Sequence, residues 1–234
     1  MADVGKAARL ARRHGLGRPL LTVRQAFPLW WWLLWIGMAL VCILAVSVNS
    51  TLSVGVKLVG LAVPFVIGAI LCWMISDRRL VICEGGVIVG GFFPGLAPFA
   101  MPHAAIEPRG VTCVSDVGRL VRLTGEQFGS TLLCFPQSRR GIVFDGPFAG
   151  DVRIRRALLA DAMDSRVPNT VRGGKLWAVA TTGSAERLVA TWQQAMIAAG
   201  VSAAEQMAAV ALPERSVGST PQEAAQRVNG FVPR

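Results

Sequence analysis

Two long apolar runs dominate the chain. Residues 27–48 and 52–75 are almost free of charge, and only Asn49-Ser50-Thr51 separates them. At about 1.5 Å of rise per helical residue, each run is long enough to cross the roughly 30 Å of hydrocarbon in a bilayer. The pattern therefore predicts a transmembrane helical hairpin over 27–75. The first run is too long for a signal-peptide core, which spans about 7–15 residues, and no small-residue cleavage site separates it from the second.

The rest of the chain follows other periods. In 1–26, Val4, Ala7, Ala8, Leu10 and Ala11 lie near one side of a helix, with Lys6, Arg9, Arg12 and Arg13 interleaved; this reads as a basic juxtamembrane segment. Beyond Arg79 the apolar runs shorten. Leu80-Val81-Ile82-Cys83 and Val87-Ile88-Val89 flank Glu84-Gly85-Gly86 as a β-hairpin, and further strands are expected over 110–114, 119–123, 131–135 and 141–144. A helix is expected over 151–166, with Val152, Ile154, Leu158, Leu159 and Met163 in phase and Asp151 at its start. These features divide 76–166, a mainly-β domain, from 167–234, an α-rich C-terminal appendage. Within the appendage the pattern predicts a strand over 175–181 and a helix over 184–199, then capping boxes at Ser202-x-x-Glu205 and Thr220-x-x-Glu223.

Composition agrees with a membrane protein: 53% of residues are hydrophobic, 16% are charged, and the mean hydropathy is +0.49. The net charge of +10 suggests nucleic acid until its distribution is read. Six basic residues before the first apolar run (Lys6, Arg9, Arg12, Arg13, Arg18, Arg24) face Asp3 alone, whereas 76–166 and 167–234 each carry only +2. The excess belongs beside the membrane, and nucleic acid is not an expected partner. Positive charge on both flanks and none in the turn place both termini in the cytoplasm. Trp30, Trp31, Trp32 and Trp35 at the start of the first run and Trp73 near the end of the second mark the same water–lipid boundary.

Two transmembrane helices, an Arg78-Arg79 step, the segment Arg79-Leu-Val-Ile-Cys-Glu-Gly-Gly-Val, further short strands around Ala105-Ile106-Glu107-Pro108 and one later helix resemble the bacterial membrane proteins that carry a pleckstrin-homology-like (PH-like) domain. The resemblance covers about residues 27–166. It implies a bent, roughly seven-stranded barrel with a helix closing one end, and a bacterial inner (plasma) membrane location. Here Pro94, Pro98 and Pro102 interrupt the strand before Ile106, a departure that bears on the number of strands.

Candidate chemistry is sparse. Cys42, Cys72, Cys83, Cys113 and Cys134 form no C-x-x-C pair, His14 and His103 complete no zinc pattern, and no phosphate-cradling glycine motif is present. No metal, cofactor or catalytic set is expected; a membrane enzyme would need His103 or Cys113. The candidate site residues are basic: Lys6, Arg9, Arg12, Arg13, Arg18, Arg24, Arg78 and Arg79 for anionic lipid, although the same charges also serve to set topology. Lys57 is the single charge inside a span, either an ion site or a stem reaching back to water. These features point to a non-enzymatic, membrane-anchored adaptor or assembly element that binds a protein partner or another copy of itself. The alternative is an accessory subunit of a membrane transport or secretion complex, with Lys57 and Pro64 in its pathway.

Overall fold

A strand that is apolar on both faces is stable only with both faces covered. Leu80-Val81-Ile82-Cys83, Gly86-Val87-Ile88-Val89 and Leu176-Trp177-Ala178-Val179-Ala180 are of this kind. The computed structural model describes residues 2–25, 29–48, 53–93, 98–124, 131–154 and 176–231, and it covers these strands with layers. The chain forms two compact units, Met1–Ala26 with Asp77–Arg234, and Phe27–Ser76.

In the larger unit, β1 (Pro19–Arg24), β2 (Arg78–Cys83), β3 (Gly86–Gly91) and β4 (Phe99–Pro102) form an antiparallel sheet in that order. A second sheet has the order β5 (Thr112–Val114), β7 (Gly141–Asp145), β8 (Leu176–Ala180), β6 (Leu132–Leu133), with β6 parallel to β8 and the other pairs antiparallel. Among the described residues these are two open four-stranded sheets. Period-2 alternation sorts their side chains. Leu80, Ile82, Val87 and Val89 meet Ile142, Phe144, Trp177 and Val179 in the core between the sheets, while Val81, Cys83 and Ile88 face the opposite side. An aromatic cluster joins the layers: Trp177 lies edge-on to Phe99 (centroids 5.0 Å apart, 71°) and parallel to Phe144 (6.3 Å, 7°), and Phe144 meets Trp192 edge-on at 5.2 Å.

Helices cover what the sheets leave. α1 (Ala2–Arg13) sets Ala7 and Ala11 on the outer face of the first sheet, against Val81, Cys83, Ile88 and Phe92. On the outer face of the second sheet, α4 (Gly118–Thr124) and α8 (Pro221–Arg227) enclose a cluster that includes Val143 and Ala178. Between them in sequence come the one-turn α5 (Ala149–Val152), α6 (Ala185–Ala198) and α7 (Met207–Ala211). Leu188, Val189, Trp192 and Met196 of α6 enter the inter-sheet core with Met207 and Ala211 of α7.

Several expectations are corrected. The segment 1–26 is not a separate juxtamembrane element, because β1 is a strand of the first sheet and α1 covers its outer face. Residues 176–231 are not an appendage: β8 is an interior strand of the second sheet and α6 fills the core, so the division at 166/167 disappears. The strand expected over 119–123 is the helix α4, because Val117, Leu120, Val121 and Thr124 are buried at helical spacing. A Cβ on Gly118 would meet the Phe135 and Pro136 carbonyl oxygens at 2.5 Å, so the residue that opens α4 must be small. Asp116 fixes its entry, its carboxylate accepting from Val217 N at 2.7 Å and Ser216 Oγ at 2.9 Å and pairing with Arg119 at 3.2 Å. At Ser202 the capping box does not form; α6 ends at Gly200 (φ 71°), and Ala203, with φ 62°, leads the chain into its next turn without a side-chain cap. At Thr220 the cap does form, on Glu223 N at 3.2 Å. The helix expected over 151–166 starts differently, since Asp151 lies inside α5 and Arg153 is extended and bridged to Phe99; residues 155–166 lie outside the described residues.

The smaller unit consists of α2 (Leu29–Val48) and α3 (Val54–Ser76), both long and apolar enough by length and composition to cross a membrane. The expected turn at Asn49-Ser50-Thr51 lies outside the described residues. The helices meet where Gly68 leaves room for the Trp35 ring; a Cβ there would approach it to 1.9 Å.

The whole of this smaller unit is an insertion between β1 and β2, whose residues Arg24 and Arg79 are direct partners. Joining 1–25 to 77–234 through a short turn should therefore yield a soluble, cooperatively unfolding domain. A fragment starting at Ser76, without α1 and β1, exposes Val81, Ile88 and Phe92 and should aggregate or melt well below the joined chain, as circular dichroism and size-exclusion chromatography would show.

Candidate functional site

The basic residues of the N-terminal segment belong to an amphipathic helix whose apolar face is already in use. Ala7 and Ala11 are buried on the sheet and Leu10 is half-buried, so lipid has no access to that face; Arg9, Arg12 and Arg13 project into solvent. The Lys6 ammonium donates to the Phe92 carbonyl and ties α1 to the end of β3. α1 thus presents three exposed arginines on a fixed element, Arg12 with its Nε donating to the Ala8 carbonyl at 3.4 Å.

The next charges are divided by strand alternation. Arg18, just before β1, is held by Glu84 in the β2–β3 turn: its backbone N–H donates to Oε2 at 2.9 Å and its Nε to Oε1 at 3.1 Å. Those two bonds, backbone first, hold the Glu84 carboxyl below the usual carboxylate range. Arg79 is buried on the outer face of the first sheet, paired with Asp77 and stacked over Phe92, its Cζ 5.6 Å from the ring centroid. Arg79 is a structural ion pair and not a surface charge. Arg24 is exposed at the end of β1, where its carbonyl accepts from Thr182 N at 3.3 Å and Thr182 Oγ1 at 3.2 Å. Arg78 faces the other way, toward the inter-sheet core, opposite Gln25, whose N–H donates to the Arg78 carbonyl at 3.0 Å. Gln25 carries no motif, and it becomes visible only when 19–24 is recognised as a strand.

Lys57 stands in the first turn of α3, half-buried, its N–H donating to the Ser53 carbonyl at 3.0 Å. That position at a helix end favours a stem reaching toward water. An apolar cleft with an accessible volume of about 500 Å³ opens between α2 and α3, lined among others by Trp32, Trp35, Phe65, Cys72 and Trp73.

His103, Cys83, Cys113 and Cys134 are buried in the domain. His103 is buried; its Nε2–H donates to the Cys83 carbonyl at 3.0 Å, which leaves Nδ1 to accept from Trp192 Nε1–H at 3.3 Å. Both nitrogens are engaged, and desolvation keeps its pKa below the ordinary value, only partly offset by the bond to Cys83. Burial raises the thiols of Cys83 to about 12, Cys113 to about 11 and Cys134 to about 12. No group of three or more His, Cys, Asp or Glu able to hold a metal occurs among the described residues. Burial keeps these three thiols protonated and in packing roles.

No protein-family model matches this chain, and no curated protein or solved structure matches it.

Two measurements check this assignment. Because the folded pKa of His103 lies below its ordinary 6.5, the unfolded chain binds more protons in the interval between the two values. Stability should be complete above about pH 6.5 and fall as pH drops toward the lower native value, and His103→Gln should flatten that part of a urea-midpoint profile. Cys83, Cys113 and Cys134 should resist alkylation by iodoacetamide at pH 7.5 in the native protein and react fully in urea.

Proposed function

We propose that this chain is an integral membrane protein of a bacterial inner (plasma) membrane, with α2 and α3 anchoring a cytoplasmic adaptor or assembly domain. The observation that carries the reading is the pairing of β1 with β2 across the hairpin. One folded unit receives the chain from both ends of the apolar segment, so the segment crosses a bilayer an even number of times and both flanks lie on one side. A cleaved signal sequence fits poorly, since cleavage after α2 would remove α1 and β1 from the sheet they complete. A soluble core helix fits poorly too: of the apolar windows Trp31–Val48 and Gly55–Met74, 0% and 6% is buried within the protein. Large apolar side chains exposed along both helices call for lipid. The basic flanks favour the cytoplasmic face for the domain.

The domain itself supports an adaptor. It packs two mostly antiparallel sheets face to face, with Cys83, Cys113, Cys134 and His103 buried in packing roles. Exposed Arg9, Arg12 and Arg13 offer each anionic lipid surface about 1 kcal/mol per residue, and the domain surface remains for a protein partner or a second copy of the chain.

Carbonate extraction tests the anchor: the full chain should stay in the membrane pellet and the chain lacking 27–76 should be released, and release of the full chain would refute the reading. Crosslinking in native membranes, followed by purification in mild detergent, should recover a homo-oligomer or a defined partner; a strictly monomeric, partnerless protein counts against the adaptor role.

A further inference from the structure

Buried polar side chains in folded proteins are almost always hydrogen-bonded, because an unpaired one loses its water without replacement. Gln25, at the end of the inter-sheet core, breaks this rule, and a half-buried cation, Arg78, lies opposite it. Gln25 follows the last residue of β1 and lies opposite Arg78, one step beyond the Arg24–Arg79 pair. Opposed residues of an antiparallel pair share a face, and alternation puts Gln25 on the side of Val23 and Arg78 on the side of Leu80, both members of the inter-sheet core. Gln25 is only 5% exposed, and neither its Nε2 nor its Oε1 has a hydrogen-bond partner. Arg78 is half-buried, and its guanidinium makes no ion pair or side-chain hydrogen bond among the described residues.

Among the described residues no group neutralises that charge. Asp77 is taken by Arg79 on the opposite face of the sheet. The Cys134 thiol, within electrostatic reach of Arg78, is held protonated by its burial, which outweighs the pull of the guanidinium. The same desolvation lowers the pKa of Arg78, with Cys134 opposing it. A half-buried cation and a buried amide thus share one face of the sheet at opposed positions, without a side-chain partner among the described residues.

We propose that Gln25 and Arg78 form a binding site for a single phosphate-type anion. The planar guanidinium matches two phosphate oxygens in a fork, and the Gln25 amide nitrogen donates a further bond. Gln25 Oε1 then accepts from a hydroxyl or ammonium on the same ligand, a combination found in a glycerophospholipid headgroup. Gln25 precedes α2 by four positions and Arg78 follows α3 by two. A lipid source rests on the membrane reading above, whereas inorganic phosphate shares the chemistry without it.

The test is thermal unfolding of the full chain in an uncharged maltoside detergent, titrated separately with phosphatidylglycerol, phosphatidylcholine and inorganic phosphate. A ligand that binds only the folded state raises the midpoint saturably. The wild type should respond to phosphatidylglycerol and not to phosphatidylcholine, and Arg78→Gln or Gln25→Met should weaken the apparent affinity by about tenfold or more. The combined Arg9→Gln, Arg12→Gln, Arg13→Gln variant should respond like the wild type. Without added anion, Gln25→Met should melt at or above the wild-type temperature, because it removes an unpaired buried amide, and it decides the matter if Arg78→Gln does not fold. A saturable response to inorganic phosphate with the same dependence on Arg78 and Gln25 upholds the site and assigns it to a free anion, independently of carbonate extraction. No response to either anion, or a response that survives both site variants, overturns the proposal.

Discussion

The antiparallel pairing of β1 with β2 is the constraint on which the rest of the molecule depends. It unites residues from both sides of the apolar hairpin in one sheet, with Arg24 opposite Arg79. Through it α1 gains a surface to cover, Gln25 comes to lie opposite Arg78, and the hairpin becomes an insertion whose two ends are held together. Ladder hydrogen bonds alone contribute modestly. The pairing is secured by burial, with Val23 entering the inter-sheet core beside Leu80 and Ile82.

Besides the cluster under α1, two cores divide the labour. The inter-sheet core contains the aromatic contacts of Phe99, Phe144, Trp177 and Trp192, whose polar edges are satisfied at its boundary: Trp177 Nε1 donates to the Pro147 carbonyl at 3.0 Å and Trp192 Nε1 to His103 at 3.3 Å. The second core, between the far sheet and α4 with α8, is closed by the Asp116 carboxylate, which draws the 216–217 backbone onto the start of α4. At the end of the inter-sheet core the buried Gln25 amide has no partner, and the half-buried Arg78 lies opposite it.

Local signals were readable where a residue's neighbours in sequence are also its neighbours in space. The hairpin at Glu84-Gly85-Gly86 forms between β2 and β3, α6 carries Leu188, Val189, Trp192 and Met196 inward, and Thr220 caps α8. β1 escaped notice because Pro19-Leu-Leu-Thr-Val-Arg is short and half-exposed and becomes a strand only against β2. α4 does not announce itself as a helix because seven residues hold too few turns for periods of two and 3.6 to separate. Of the candidate basic residues, three arginines on α1 lie in solvent, while Lys6, Arg18 and Arg79 are engaged within the domain, a distinction that charge counts do not contain.

By itself the sequence determined the two apolar helices, the asymmetry of charge around them and most of the strands, because length, hydropathy and alternation are properties of contiguous residues. Only the tertiary structure decided that the segments before 27 and after 175 build one domain, which basic side chains are already paired, and that Gln25 and Arg78 face the same core. Those outcomes depend on contacts between positions dozens of residues apart. Such contacts are selected by the shared burial of surfaces that no single segment can cover alone.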